Sequence, residues 1–158
     1  HLMVNDPERI ALLWTEHPAL ARVSIHLETL SEPKTIRARL QVLCRRGSLR
    51  VFLALNPETA LNLAQAVYEF FDGILLLGVN PGAQGQRILP ETFNRLSALR
   101  RSLPKEFRIG VDGGVTLENA SQLVKSGANF LIAGSTLFRS LNPSLTFQEL
   151  ITSANSPV

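Results

Sequence analysis

Short apolar runs recur along this chain, each followed by a longer stretch with helical patterning, and no other feature limits the fold as tightly. Strand candidates cover residues 1–4, 22–26, 50–55, 73–79, 107–112 and 130–133. Helical candidates begin near Pro7, Glu32, Pro57, Pro90, Leu117 and Thr146. Asn56-Pro57-Glu58 reads as an N-cap followed by proline at the first helical position. Thr116 with Asn119 offers a weaker cap, and Ser126-Gly127 ends that same helix. The runs are apolar throughout and do not alternate with polar residues, the pattern of a parallel sheet covered by helices on both faces.

Six βα units in 158 residues leave no room for a second domain. Two architectures fit, a doubly wound sheet and a (β/α)₈ barrel, and the glycines separate them. A dinucleotide fold carries its glycine-rich turn after the first strand. Here the turns follow the last three strands: Asn80-Pro81-Gly82-Ala83-Gln84-Gly85-Gln86, Asp112-Gly113-Gly114-Val115 and Ala133-Gly134-Ser135-Thr136. Barrels of the TIM type build phosphate sites there. The expected fold is therefore an α/β TIM barrel with about six of its eight units present, over residues 1–152, followed by a loose tail at 153–158.

Composition narrows the functions. A net charge of +3 suits a small anionic substrate, and the basic cluster Arg45, Arg46, Arg50 and the pair Arg100, Arg101 have no interleaved aromatics to stack bases. No nucleic-acid partner is expected. The single Cys44 excludes an internal disulfide framework and a thiolate cluster. No signal peptide or membrane-length apolar run is visible, so the expected location is cytoplasmic, with no membrane partner.

Glycine lets backbone N–H groups approach an anion unobstructed, and a helix N-terminus following it adds partial positive charge. Gly113, Gly114 and Gly134 could clamp a phosphate from two sides, with Ser135 lending a hydroxyl. The same glycines could simply permit tight βα turns. Asp112, at a strand end beside that cradle, could cap a turn, ligate a divalent metal or abstract a proton. His1 and His26 stand at strand positions suited to a mixed nitrogen and oxygen metal site, although no local spacing joins them. His26 alone could equally be a hydrogen-bonded strand-end residue. His17 reads as a surface helix terminus, and Tyr68, Phe70 and Phe71 read as packing between helix and barrel.

These motifs, in this order, resemble the ribulose-phosphate 3-epimerase family along nearly the whole chain. The resemblance rests on His1-Leu2-Met3-Val4, Ile25-His26-Leu27-Glu28, Ala54-Leu55-Asn56-Pro57-Glu58-Thr59, Val79-Asn80-Pro81-Gly82, Gly85-Gln86, Val111-Asp112-Gly113-Gly114-Val115 and Gly127-Ala128-Asn129 leading to Ala133-Gly134-Ser135. It implies metal-dependent C3 epimerisation of a ketopentose 5-phosphate, ribulose 5-phosphate to xylulose 5-phosphate, through a cis-enediolate. Asp112 would be an acid/base and metal ligand and His1 a ligand of the divalent ion, zinc, iron or manganese. Gly82, Gly85, Gly113, Gly114, Gly134, Ser135 and His26 would fall in the substrate and phosphate set.

The resemblance is incomplete. The family's first two strands, with the second catalytic aspartate, a loop serine and the remaining histidine ligand, have no counterpart in these residues. Weakened metal binding and a tendency to self-associate are expected. Leu77 stands where the family has methionine, and Gly82-Ala83-Gln84-Gly85 replaces Gly-Phe-Gly-Gly. Two alternatives therefore stand beside the epimerase: an inactive sugar-phosphate-binding paralogue, and a relative acting on allulose 6-phosphate.

Overall fold

The computed structural model describes residues 1–43 and 49–156, so Cys44, Arg45 and Arg46 lie outside the described residues. The chain divides into two compact units, His1–Leu75 and Leu76–Val158. Parallel strand pairs lie within each unit.

In the first unit, α1 (Pro7–Trp14) starts where Asp6 accepts the Arg9 N–H at 3.2 Å, with proline at the first helical position. β1 (Arg22–His26) pairs in parallel with β2 (Arg50–Leu55), placing Ile25 opposite Leu53 and His26 opposite Ala54. Val51 to Leu55 are all fully buried, as a strand covered on both faces requires. α2 (Pro33–Leu43) supplies Ile36 and Leu40 to the same core. Asp72 ties these layers together. One of its oxygens accepts the Val51 N–H at 2.8 Å and the other meets Arg37 at 2.6 Å. Phe71 is buried beside it, and Tyr68 and Phe70 are half-buried, in keeping with a packing role. His17 is exposed, in the turn after α1.

Two sequence expectations change in this unit. Residues 1–4 form no full strand, since Leu2 makes an isolated parallel bridge to Ile25, with its N–H on the Ser24 carbonyl at 2.9 Å. The helix expected from Pro57 begins at Leu61, as α3 (Leu61–Gln65). Asn56 to Thr59 instead form a turn closed by the Thr59 N–H on the Asn56 carbonyl, and a distant carboxylate, Glu28, holds both ends of it.

β3 (Gly73–Leu77) spans the division, and the second unit continues with α4 (Glu91–Ser102), β4 (Arg108–Asp112), α5 (Leu117–Lys125), β5 (Phe130–Ile132), α6 (Gly134–Phe138) and α7 (Pro143–Asn155). β3 stops short of Val79 because the Gly78 carbonyl accepts the Leu89 N–H at 2.8 Å from the returning loop. α5 has the expected cap: Asn119 Oδ1 accepts the Thr116 N–H at 2.9 Å and its amide donates to the Gly114 carbonyl at 2.8 Å. α7 begins three residues earlier than Thr146, because Asn142 caps it by accepting the Leu145 N–H at 3.1 Å. It also runs into the expected loose tail as far as Asn155, and the Ser153 hydroxyl donates to the Leu117 carbonyl at 2.6 Å.

Arg100, from the basic pair noted in the sequence, is committed to structure. Its guanidinium donates to the carbonyls of Pro104, Lys105, Phe107 and Gly127 and to Asn129 Oδ1, at 2.8–3.1 Å. Asn129 Oδ1 also accepts the Ile109 N–H at 2.8 Å, so one cation orders the entry into both β4 and β5. No helix among the described residues is long and apolar enough to cross a membrane.

Candidate active site

The first unit brings His1 and His26 together from sequence positions twenty-five apart, their Nε2 atoms 2.8 Å from one another and their rings stacked at 5.0 Å. His26 is buried at the end of β1. Its Nδ1 lies 3.2 Å from Glu28 Oε2, so the ionised carboxylate accepts the Nδ1 proton and leaves Nε2 to face His1. Burial alone would raise the Glu28 carboxyl. Hydrogen bonds from His26, Thr59 and the Asn56 N–H outweigh it and lower the pKa to about 2.

The second unit gathers the three glycine turns. Asp112 ends β4, half-buried, and burial raises its carboxyl above the usual range despite a bond from the Gly113 N–H. Gly113 and Gly114 have φ of 93° and 71°. A Cβ at Gly113 would lie 2.5 Å from Val79 Cγ2, and one at Gly114 would lie 2.6 Å from the Ile88 backbone. The turn after β4 therefore nests against the segment after β3. Gly78 shares in this contact, since a Cβ there would run into the Gly113 carbonyl oxygen. The Thr136 hydroxyl donates to the Val115 carbonyl and draws α6 against the same turn.

Gly82 and Gly85 sit in an exposed loop with φ of 120° and 75°. Gln86 closes that loop by donating to the Asn80 and Ala83 carbonyls at 2.7 and 2.8 Å. Backbone conformation or packing thus accounts for Gly82, Gly113 and Gly114 as glycines. Gly134 differs. Its φ is not positive, it is exposed, and a Cβ built on it meets nothing within 4 Å. Ser135 follows it, half-buried.

The donor set for a divalent ion is incomplete. Among the described residues no three His, Cys, Asp or Glu side chains gather as a metal site. His1 and His26 make a pair, whereas a catalytic zinc normally takes three protein ligands. Glu28 stands behind His26 and does not extend the pair. These residues do not fit a metal centre by themselves.

Sequence reasoning had no means of finding two contributors. Glu28 was visible beside His26, but its hold on Asn56 and Thr59 spans about thirty residues. Arg139, whose guanidinium lies over Gly85, is announced by nothing except a cation one helical turn after Ser135.

Residues 1–138, and so every glycine turn and both histidines of the pair, match the model of the ribulose-phosphate 3 epimerase family. The chain belongs to the ribulose-phosphate 3-epimerase family. It is 34% identical over 154 residues to ribulose-phosphate 3-epimerase of Buchnera aphidicola subsp. Acyrthosiphon pisum (strain APS), covering 95% of this chain and 65% of that protein. It is 33% identical over 149 residues to the enzyme of the same name from Escherichia coli (strain K12), covering 87% of this chain and 60% of that protein. The chain thus spans less than two thirds of the length of these relatives. Among solved structures, its fold is similar to 3-hexulose-6-phosphate synthase (TM-score 0.70, 17% identity, 93% of this chain and 68% of that one). It is also similar to orotidine 5'-phosphate decarboxylase from Pyrococcus horikoshii OT3 (TM-score 0.64, 15% identity, 98% and 72%). With the parallel pairing of β1 with β2 and of β4 with β5, these similarities support a partial (β/α)₈-type barrel. Within this family, use of a divalent metal is a typical property, but the described residues gather no cluster of three such donors.

Proposed function

We propose that this chain carries the phosphate-binding loops and one proton-transfer group of a ribulose-phosphate 3-epimerase, acting on ribulose 5-phosphate and xylulose 5-phosphate. The observation that carries the reading is the pairing of Asp112, its carboxyl raised by burial, with the adjoining turns at Gly113-Gly114 and Gly134-Ser135. A carboxylate of raised pKa is a stronger base than a solvated one, which suits removal of a weakly acidic proton beside a carbonyl.

On this reading Asp112 takes the proton from C3, and the electron pair left behind delocalises onto the C2 carbonyl oxygen as an enediolate. A proton delivered from solvent to the opposite face of C3 completes the inversion, and Asp112 releases the proton it took to solvent. Backbone N–H groups at Gly113, Gly114, Gly134 and Ser135 hold the phosphate and fix C3 beside the carboxylate. Gly134 supports this assignment, because neither φ nor packing demands a glycine there, while close approach of an anion does. A divalent ion would polarise the C2 and C3 oxygens in a complete site. The described donors do not complete a site for it.

The test is exchange of the C3 proton of ribulose 5-phosphate with deuterated water, for the chain and for Asp112→Asn. Exchange by the parent chain that Asp112→Asn abolishes supports the reading. Equal exchange by both removes Asp112 from the mechanism. The incomplete donor set favours a second reading, a sugar-phosphate-binding protein without turnover. Calorimetric binding of ribulose 5-phosphate with no exchange in either protein would establish that one.

A further inference from the structure

We propose that Arg139 is a phosphate-binding residue of this chain, a cation held against the glycine loop after β3. The proposal rests on the phosphate site argued above and adds a side chain to it.

Arg139 follows α6, and its N–H bonds to the Ser135 carbonyl at 3.1 Å, which sets it one turn beyond Gly134-Ser135. Its side chain then reaches the other glycine loop. The guanidinium occupies the space where Gly85 would carry a Cβ, with Cζ and Nη2 each 2.8 Å from that position. Arg139 therefore joins the loop after β3, which carries Gly82 and Gly85, to the turn after β5 at Gly134-Ser135, which the phosphate reading invokes. Gly85 has φ of 75° and lies in a loop with Ala83 and Gln84, so no bulky side chain of the loop competes for this place.

The chemistry of the group matters as much as its position. Guanidinium is planar, permanently charged and able to donate two parallel hydrogen bonds to a phosphate. The guanidinium packs against Gly85 and the residue is exposed, so it is accessible to a ligand. Binding phosphate through backbone N–H groups alone supplies direction but only partial charges. Arg139 adds a full one.

The experiment titrates the chain, Arg139→Met and Arg139→Lys with ribulose 5-phosphate, inorganic phosphate and unphosphorylated ribulose, at low and raised salt. Methionine keeps the unbranched apolar stem of the side chain without the charge. Loss of a charge-assisted bond should weaken both phosphate ligands about tenfold to a hundredfold in Arg139→Met. Ribulose binding should not change, the salt dependence should flatten, and Arg139→Lys should recover part of the affinity. Equal phosphate affinity in the parent and Arg139→Met overturns this inference and leaves the glycine site standing. No phosphate binding by the parent overturns both. A weaker Arg139→Met that also unfolds several degrees earlier and is not rescued by lysine assigns the residue to loop packing, and the proposal fails.

Discussion

Glu28 Oε1 accepts the backbone N–H of Asn56 at 3.0 Å, across twenty-eight residues of sequence, while its second oxygen faces His26 Nδ1 at 3.2 Å. One carboxylate thereby orders the turn after β2 and orients the histidine at the end of β1. The bonds require the ionised form, which is why the carboxyl is lowered from 4.5 to about 2.

A folded-state pKa below the unfolded one stabilises the protein above the unfolded value, and this contribution is lost as pH falls through the folded value. Glu28→Ala should therefore cost stability at neutral pH, by about 1–2 kcal/mol given the partial exposure of the group. The gap between parent and variant should persist down to pH 4.5 and close between there and about 2. Urea unfolding of both proteins across that window measures it. A gap independent of pH would mean that packing of the side chain, not its charge, does the ordering.

Gly114 and Gly134 should answer the same substitution differently. At Gly114 an alanine must hold φ at 71° with its Cβ 2.6 Å from the Ile88 backbone. Gly114→Ala should lose about 1–3 kcal/mol of stability. Gly134→Ala should unfold with the parent, because the space beside it is open, yet bind ribulose 5-phosphate more weakly. Thermal unfolding and calorimetry separate the two effects.

Arg100→Met should lower stability by about 2–3 kcal/mol, since it removes a side chain that satisfies four main-chain carbonyls at once. Lysine should rescue little, because an ammonium cannot span acceptors on both sides of the β4 entry. Chemical denaturation of the three proteins checks this. Phosphate affinity of the folded variants should stay near that of the parent.

Asp112→Asn should fold and retain most of its affinity for ribulose 5-phosphate. It also removes an ionisable group that burial disfavours in its charged form, so no loss of stability is expected. Any C3 exchange by the parent should fall by a factor of roughly 10² to 10⁴. A midpoint of unfolding several degrees below the parent would instead mark Asp112 as a structural residue of the turn.

The bounds of β1 and β2, the turn at Ser126-Gly127 and the order of the glycine motifs were legible in the residues themselves. Each depends on local preference: continuous apolar runs for strands buried on both faces, a positive φ at Gly127, and glycine wherever backbone must approach backbone. Family membership followed from the same motifs. Local signals misled where a distant group outbid them. Asn56-Pro57-Glu58 has the composition of a helix start, but Glu28 uses the Asn56 N–H and the Thr59 hydroxyl, and the helix waits until Leu61. Asn142-Pro143 was a start signal in plain sight, and Thr146 was only the interior of that helix. The pairing of His1 with His26 and the reach of Arg139 to Gly85 had no local signature at all. Nor could composition tell a glycine that packing demands, such as Gly114, from one that packing leaves free, such as Gly134. Sequence determined β1 and β2, the glycine turns and the family. Which side chains meet was decided by tertiary structure, because a hydrogen bond or a close approach depends on distance in space, and residues far apart in the chain carry no local record of it.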